Sequence, residues 1–168
     1  MRSSPDAHTL RSCSSRGLIL DLDGTLVDSL YSIPHAYIAA VSEVSGRTCT
    51  FDEVVCTLPI GPGETILTAL LGRPSTSEDL ACYHRHLEAG ISEITCYTGV
   101  PEALRQVAAS VPVAVFTGGG RTGAELFLGH AGLRRLCRDG LRRGCSEGSR
   151  VREGSGRVVG GRRMGARV

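Results

Sequence analysis

The chain of 168 residues has no lysine and no tryptophan, and aromatic side chains make up only 4% of it. Its 19 basic residues are therefore all arginines, so a site that needs a fixed cation must draw on a guanidinium rather than an ammonium group. Seven cysteines, at 13, 49, 56, 82, 96, 137 and 145, are odd in number and include no CxxC pair. That pattern indicates neither a disulfide framework nor a zinc cluster, and reduced thiols in a cytoplasm are the simpler reading. No apolar run approaches membrane-spanning length, and residues 1–16 are polar with no continuous apolar stretch. Neither a membrane partner nor a secretory signal is expected.

With 41% apolar composition the chain can bury one moderate core carrying an insertion, but not two full domains. The formal charge of +2 hides an asymmetry. Residues 1–133 hold 8 Arg against 14 acids, and residues 134–168 hold 11 Arg against 3. The most informative segment is residues 17–29, GLILDLDGTLVDS, in which Asp21 and Asp23 directly follow the apolar run Leu18, Ile19, Leu20. A buried strand ending in a tight turn at Gly24 holds both acids at the carboxyl edge of a sheet, where open α/β folds bind ligands. Period-two spacing puts them on one side.

Downstream, Ile33, Ala36, Tyr37, Ala40, Val41 and Val44 recur at helical spacing, with Asp28 or Ser29 as N-cap and Gly46 as terminator. Thr50 with Glu53, Ser75 with Glu78, and Thr122 with Glu125 read as capping boxes, and Ile66–Leu71 gives a short apolar face ended by Gly72 and Pro74. A turn at Thr98 and Gly99 leads to a helix with Pro101 in its first turn, then to a strand over Val111–Phe116. Thr117 and three glycines follow, then a helix carrying Phe127, Leu128 and Ala131 and ended by Gly132. A strand, helical insertion, helix, strand and helix in this order suit a parallel sheet with right-handed crossovers. The expected fold is α/β, a Rossmann-like parallel sheet built from 17–28 and 96–133, with a small helical cap inserted over 29–95. From Arg134 onward, 11 Arg and 8 Gly among 35 residues leave no period. The expectation there is a disordered basic tail, and the C-terminal half of the core is incomplete. The same enrichment is what GC-rich coding DNA yields when read out of register, so a truncated or frame-altered chain is a second expectation.

The wording DLDGTLVDS resembles the first signature of the haloacid dehalogenase-like phosphohydrolase superfamily, and within it the phosphoglycolate phosphatase-like branch. Thr117, after its strand, resembles the family's second motif. Tyr97–Pro101, YTGVP, resembles the return hinge of members whose cap follows the first strand, with Thr98 where proline is more usual. The resemblance covers residues 17 to about 133. It implies that Asp21 attacks phosphorus to form an aspartyl phosphate and that Asp23 protonates the leaving group and then activates water. Two close carboxylates repel each other, so a hard divalent cation, Mg²⁺, is the implied cofactor, held by Asp21 and the backbone carbonyl of Asp23. The implied substrate is a small phosphorylated metabolite, phosphoglycolate-like or a sugar phosphate.

Phosphoryl transfer also needs phosphate ligands and positive charge. Thr117, Gly118 and Gly119 can supply a hydroxyl and open backbone N–H groups at the same sheet edge. A calcium loop starting at Asp21 fails, because its sixth and twelfth positions are Leu26 and Ser32 rather than glycine and glutamate. The family's lysine and its late acidic pair are both missing. Losing one such electrostatic element typically costs about 10²-fold or more in rate, so a poor catalyst or a noncatalytic relative is the alternative expectation. Cys82, His84 and His86 lie close in sequence, but with no further ligand cluster beside them they read as a packed or solvated helix face. Pro59–Glu64, PIGPGE, is either a helix connector or a specificity loop over the site. Binding of nucleic acid through the tail is not expected, since residues 134–168 have no aromatic residue for stacking. The sequence leaves the oligomeric state open, while an open strand edge with exposed apolar surface predicts self-association.

Overall fold

The computed structural model describes residues 17–137 and the backbone of Arg142–Arg143. The first strand, β1 (Leu18–Leu20), runs parallel to β4 (Val113–Thr117), with Leu18 opposite Val113 and Leu20 opposite Val115. A short β5 (Arg142–Arg143) pairs in parallel with the far edge of β4, giving the order β1-β4-β5. The sequence showed no element at β5, because two arginines carry no strand signal and only the open edge of β4 selects them. The remainder of the basic tail lies outside the described residues. Between the parallel strands stand β2 (Val27–Asp28), α1 (Ser32–Ser45), α2 (Phe51–Thr57), α3 (Gly63–Leu71), α4 (Ser77–Ala89), β3 (Thr95–Cys96) and α5 (Val100–Ser110). Helix α6 (Arg121–His130) follows β4.

One face of the sheet is buried. Val113, Val115 and Leu22 join Leu104 of α5 and Phe127 and Leu128 of α6 in a core that continues into Ala40, Val41, Leu67 and Leu87 of the helical layer. The opposite face is open: Ile19 is 70% exposed and Phe116 is 44% exposed.

Helix α1 forms where the apolar period predicts it, and Gly46 ends it in the left-handed region at φ 69°, its N–H reaching Ser42 O at 2.9 Å. Its expected cap is corrected. Asp28 belongs to β2, paired with Thr95, and the Ser29 hydroxyl is engaged elsewhere, so Tyr31 precedes the helix without a side-chain cap. The box expected at Ser75 and Glu78 lies one residue later, at Thr76 and Asp79. Ser75 is held instead by Thr68 Oγ1 and Glu64 O, and Arg73 grips Asp79 from outside. At Thr50 the backbone half of the box is present, with Glu53 N–H donating to Thr50 Oγ1 at 3.2 Å, while the Glu53 side chain pairs with Arg47. No box forms at Thr122, because α6 starts after Gly120 with Arg121 already helical.

Candidate active site

Past the end of β1 the fully buried Leu22 anchors the chain, so Asp21 and Asp23, one residue on either side of it, emerge together on the cavity side. The turn then closes tightly. Gly24 N–H donates to Val27 O at 2.9 Å, and the N–H groups of Leu26 and Val27 converge on Leu22 O at 2.9 and 3.2 Å. Gly24 sits at φ 71°, in the left-handed region, so the backbone conformation selects glycine. Thr25 Oγ1 donates to Asp21 Oδ2 at 3.0 Å, which orients the first acid.

The second acid is held from two sides. Ser29 Oγ donates to Asp23 Oδ1 and Thr117 Oγ1 donates to Asp23 Oδ2, each at 2.8 Å. Thr117 ends β4 and is buried, and its oxygen accepts the Gly119 N–H at 3.0 Å. Residues 94 apart in sequence are thereby joined into one carboxylate clamp. Burial pushes the Asp23 carboxyl above the usual carboxylate range; the Thr117 and Ser29 hydroxyls pull it back in part, and the charge of Asp21 adds to the rise. The pair is thus differentiated: one acid exposed in the cavity, the other sequestered and inclined to keep its proton.

A cavity of about 890 Å³ lies between this sheet edge and the helical layer. Asp21, Asp23 and Gly118–Gly120 line its sheet side, Arg121 and Phe127 of α6 one wall, and Tyr37, Tyr83, His84 and the loop Leu58–Glu64 the other. Tyr37 and Tyr83 stack with ring centroids 4.1 Å apart, and burial pushes both phenols up. Burial also lowers His84, with Glu64 opposing it. The PIGPGE segment joins α2 to α3, gives α3 its first two residues and lines the cavity.

Four residues proposed from sequence, Asp21, Asp23, Gly118 and Gly119, line one cavity, and Thr117 supports it through Asp23. The Thr117 hydroxyl is turned to the acid, whereas a Cβ on Gly118 would meet nothing within 4 Å. Sequence reasoning missed two residues. Ser29 lies within the motif, but a serine before a helical period reads as a cap, and Arg121 has no signal beyond directly following the glycines after β4. Arg121 is the arginine that lines the cavity among the described residues.

A family model described as haloacid dehalogenase-like hydrolase matches residues 18–138. The chain belongs to this family. Family membership and the parallel sheet agree with solved structures of the same fold. The chain is similar to CbbY from Rhodobacter sphaeroides in complex with phosphate, at 16% identity and TM-score 0.67 over 79% of this chain and 65% of that one. It is similar to a haloacid dehalogenase-like hydrolase from Streptococcus pneumoniae, at 23% identity and TM-score 0.60 over 79% and 62%. A third similar structure is a putative phosphoglycolate phosphatase from Lactobacillus plantarum, at 19% identity and TM-score 0.61 over 76% and 64%. The match spans less than two thirds of the length of the leading solved structures, 61%, 65% and 62%. No curated protein sequence gives a significant match. Among the described residues no helix is long and apolar enough to cross a membrane.

Proposed function

We propose that this family member is a phosphate monoester hydrolase acting on a small phosphorylated metabolite, of the phosphoglycolate or sugar phosphate class. The observation that carries this reading is the pair of unlike carboxylates on one cavity. Asp21, exposed and oriented by Thr25, is the nucleophile that attacks phosphorus to give an aspartyl phosphate. Asp23, whose burial favours its protonated form, gives that proton to the leaving oxygen and afterwards draws one from the attacking water. The Gly118 backbone and Arg121 at the start of α6 face the same space and supply donors and positive charge to the phosphoryl oxygens. We read α1–α4 as a cap whose Tyr37, Tyr83 and His84 contact the rest of the substrate.

The donors at Asp21 and Asp23 are all oxygen and border an open cavity, which fits a hard cation such as Mg²⁺, and these two residues would hold it. Held there, the ion would supply positive charge against the Asp21 carboxylate and the phosphoryl oxygens.

A second reading rests on one feature. The chain has no lysine, and among the described residues the cavity acids are Asp21, Asp23 and Glu64, with no adjacent acidic pair. A noncatalytic relative that keeps half of the electrostatic machinery has this composition. Turnover of an aryl phosphate with Mg²⁺, compared between the chain and Asp21→Asn, separates the two. A rate that Asp21→Asn reduces to background supports the hydrolase; a rate indifferent to Asp21 supports the noncatalytic reading.

A further inference from the structure

Away from the cavity, α1 and α4 bring together three side chains that the sequence keeps apart. Cys82 and His86 stand one turn apart on α4, and Glu43 reaches them from α1. His86 Nε2 lies 2.8 Å from Glu43 Oε2, and the ligand atoms of all three residues lie within 4.8 Å of one another. The thiol is buried, the imidazole half-buried and the carboxylate exposed, so the group opens to solvent on one side only. Arg85 Nη2 donates to Glu43 Oε1 at 2.6 Å, which leaves Oε2 turned toward the histidine.

We propose that Glu43, Cys82 and His86 form a binding site for a borderline divalent transition ion, of which zinc is the type. One sulfur, one imidazole nitrogen and one carboxylate oxygen make a ligand set that such ions favour and that Mg²⁺ and Ca²⁺ do not. Tetrahedral coordination with metal–ligand bonds of about 2.0–2.3 Å puts ligand atoms about 3.3–3.8 Å apart, so the His86–Glu43 pair at 2.8 Å opens slightly while wider separations, none above 4.8 Å, close. The ion takes the place of the direct contact between His86 Nε2 and Glu43 Oε2, each then giving it a lone pair. Cys82 gives its thiol proton to solvent on binding, and a water completes the shell on the open side. The Arg85 contact to Oε1 acts as a support for the carboxylate, as partners of metal ligands commonly do.

The site would clasp the two helices whose other faces present Tyr37 and Tyr83 to the cavity. It therefore stiffens the cavity wall without touching Asp21 or Asp23. The sequence hid it because a Cys–His pair at helical spacing is common on packed faces and its third ligand lies 39 residues upstream of Cys82.

The test uses the full chain, reduced and metal-free, titrated with Co²⁺. Thiolate-to-cobalt charge-transfer absorption that saturates at one equivalent, is displaced by Zn²⁺ and is lost in Cys82→Ser supports the site. Cobalt held by the carboxylates at Asp21 and Asp23 has no sulfur ligand and gives no such absorption. His86→Gln and Glu43→Gln, on side chains less buried than Cys82, serve where Cys82→Ser does not fold, and each should weaken Co²⁺ binding at least about tenfold. Zinc in large excess should raise the Tm of the chain by about 5 °C and leave that of His86→Gln unchanged. Absence of the charge-transfer absorption, or its survival undiminished in Cys82→Ser or in both the His86 and Glu43 variants, overturns the proposal.

Discussion

Asp23 carries two roles in the proposed reaction, and its surroundings make its titration informative. Its carboxyl is raised in the folded state, so its contribution to stability is fully present below the unfolded pKa and is lost as the pH rises through the folded one. Asp23→Asn removes the cost of burying a charge, so this variant should melt higher than the parent at pH 7 and show no difference at pH 3. Its hydrolytic rate should nevertheless fall by about 10²–10⁴-fold, the usual contribution of a general acid and base. Melting and turnover measured on the same preparation check both halves, and a loss of stability would show that the charged form is the one the fold favours. Ser29→Ala gives a finer test. Deleting a hydroxyl that donates to the ionised acid should move the alkaline limb of the pH–rate profile upward, because Asp23 then holds its proton longer. At this scale the motif was legible in the sequence: two acids, a glycine and a threonine occupy the places their spacing implies. Ser29 and Arg121 were not, because a serine before a helix reads equally well as a cap, and an arginine after glycines reads equally well as a surface residue.

Among the elements, α4 shows how a one-residue shift in capping arises. Thr76 Oγ1 accepts the Asp79 N–H at 3.3 Å, and Asp79 Oδ2 accepts the Thr76 N–H at 2.9 Å. Arg73 completes the arrangement with two hydrogen bonds to the same carboxylate, at 2.7 and 3.0 Å. Ser75 and Glu78 satisfy the same sequence pattern, but only Asp79 lies where Arg73 can reach it. The Arg73 guanidinium and the Thr76 backbone hold the Asp79 carboxyl down at about 2. Its stabilisation is present at neutral pH and is lost as the pH falls from the ordinary carboxylate range toward 2. Thr76→Ala should cost about 1 kcal/mol in urea unfolding, the usual value of an N-cap. In Asp79→Asn, acid unfolding between pH 4 and pH 2 should become less steep; an unchanged acid limb would show that Arg73 and Asp79 contribute nothing to it.

For the molecule as a whole, the two faces of the sheet are unequal. Leu20, Val113 and Val115 pack beneath the helices, while Ile19 and Phe116 on the other face meet solvent. Among the described residues the outer edge of β1 has no partner strand, and apolar surface of this kind beside such an edge drives association. Light scattering should show the average mass of the chain growing with concentration, and Ile19→Arg should reduce that growth. A parent chain that stays monomeric across the range and melts cooperatively would contradict the expectation. The parallel order β1-β4 was legible because an apolar run, a helical insertion and a second apolar run permit few other arrangements. The strands β2, β3 and β5 were not, since each has only two residues and takes its conformation from a partner rather than from its own side chains.

The sequence by itself determined the family, the position of the two acids after the first strand, and the alternation of helix and strand, because these depend on spacings within a few residues that local sterics and burial translate directly into backbone shape. Only the tertiary structure decided what lies across from what. It brought Thr117 and Ser29 to opposite sides of Asp23, set Tyr37 against Tyr83 over the cavity, and joined Glu43 to Cys82 and His86. Each of these contacts depends on how helices and strands pack, a choice made by the whole core at once and written in no single stretch of the chain.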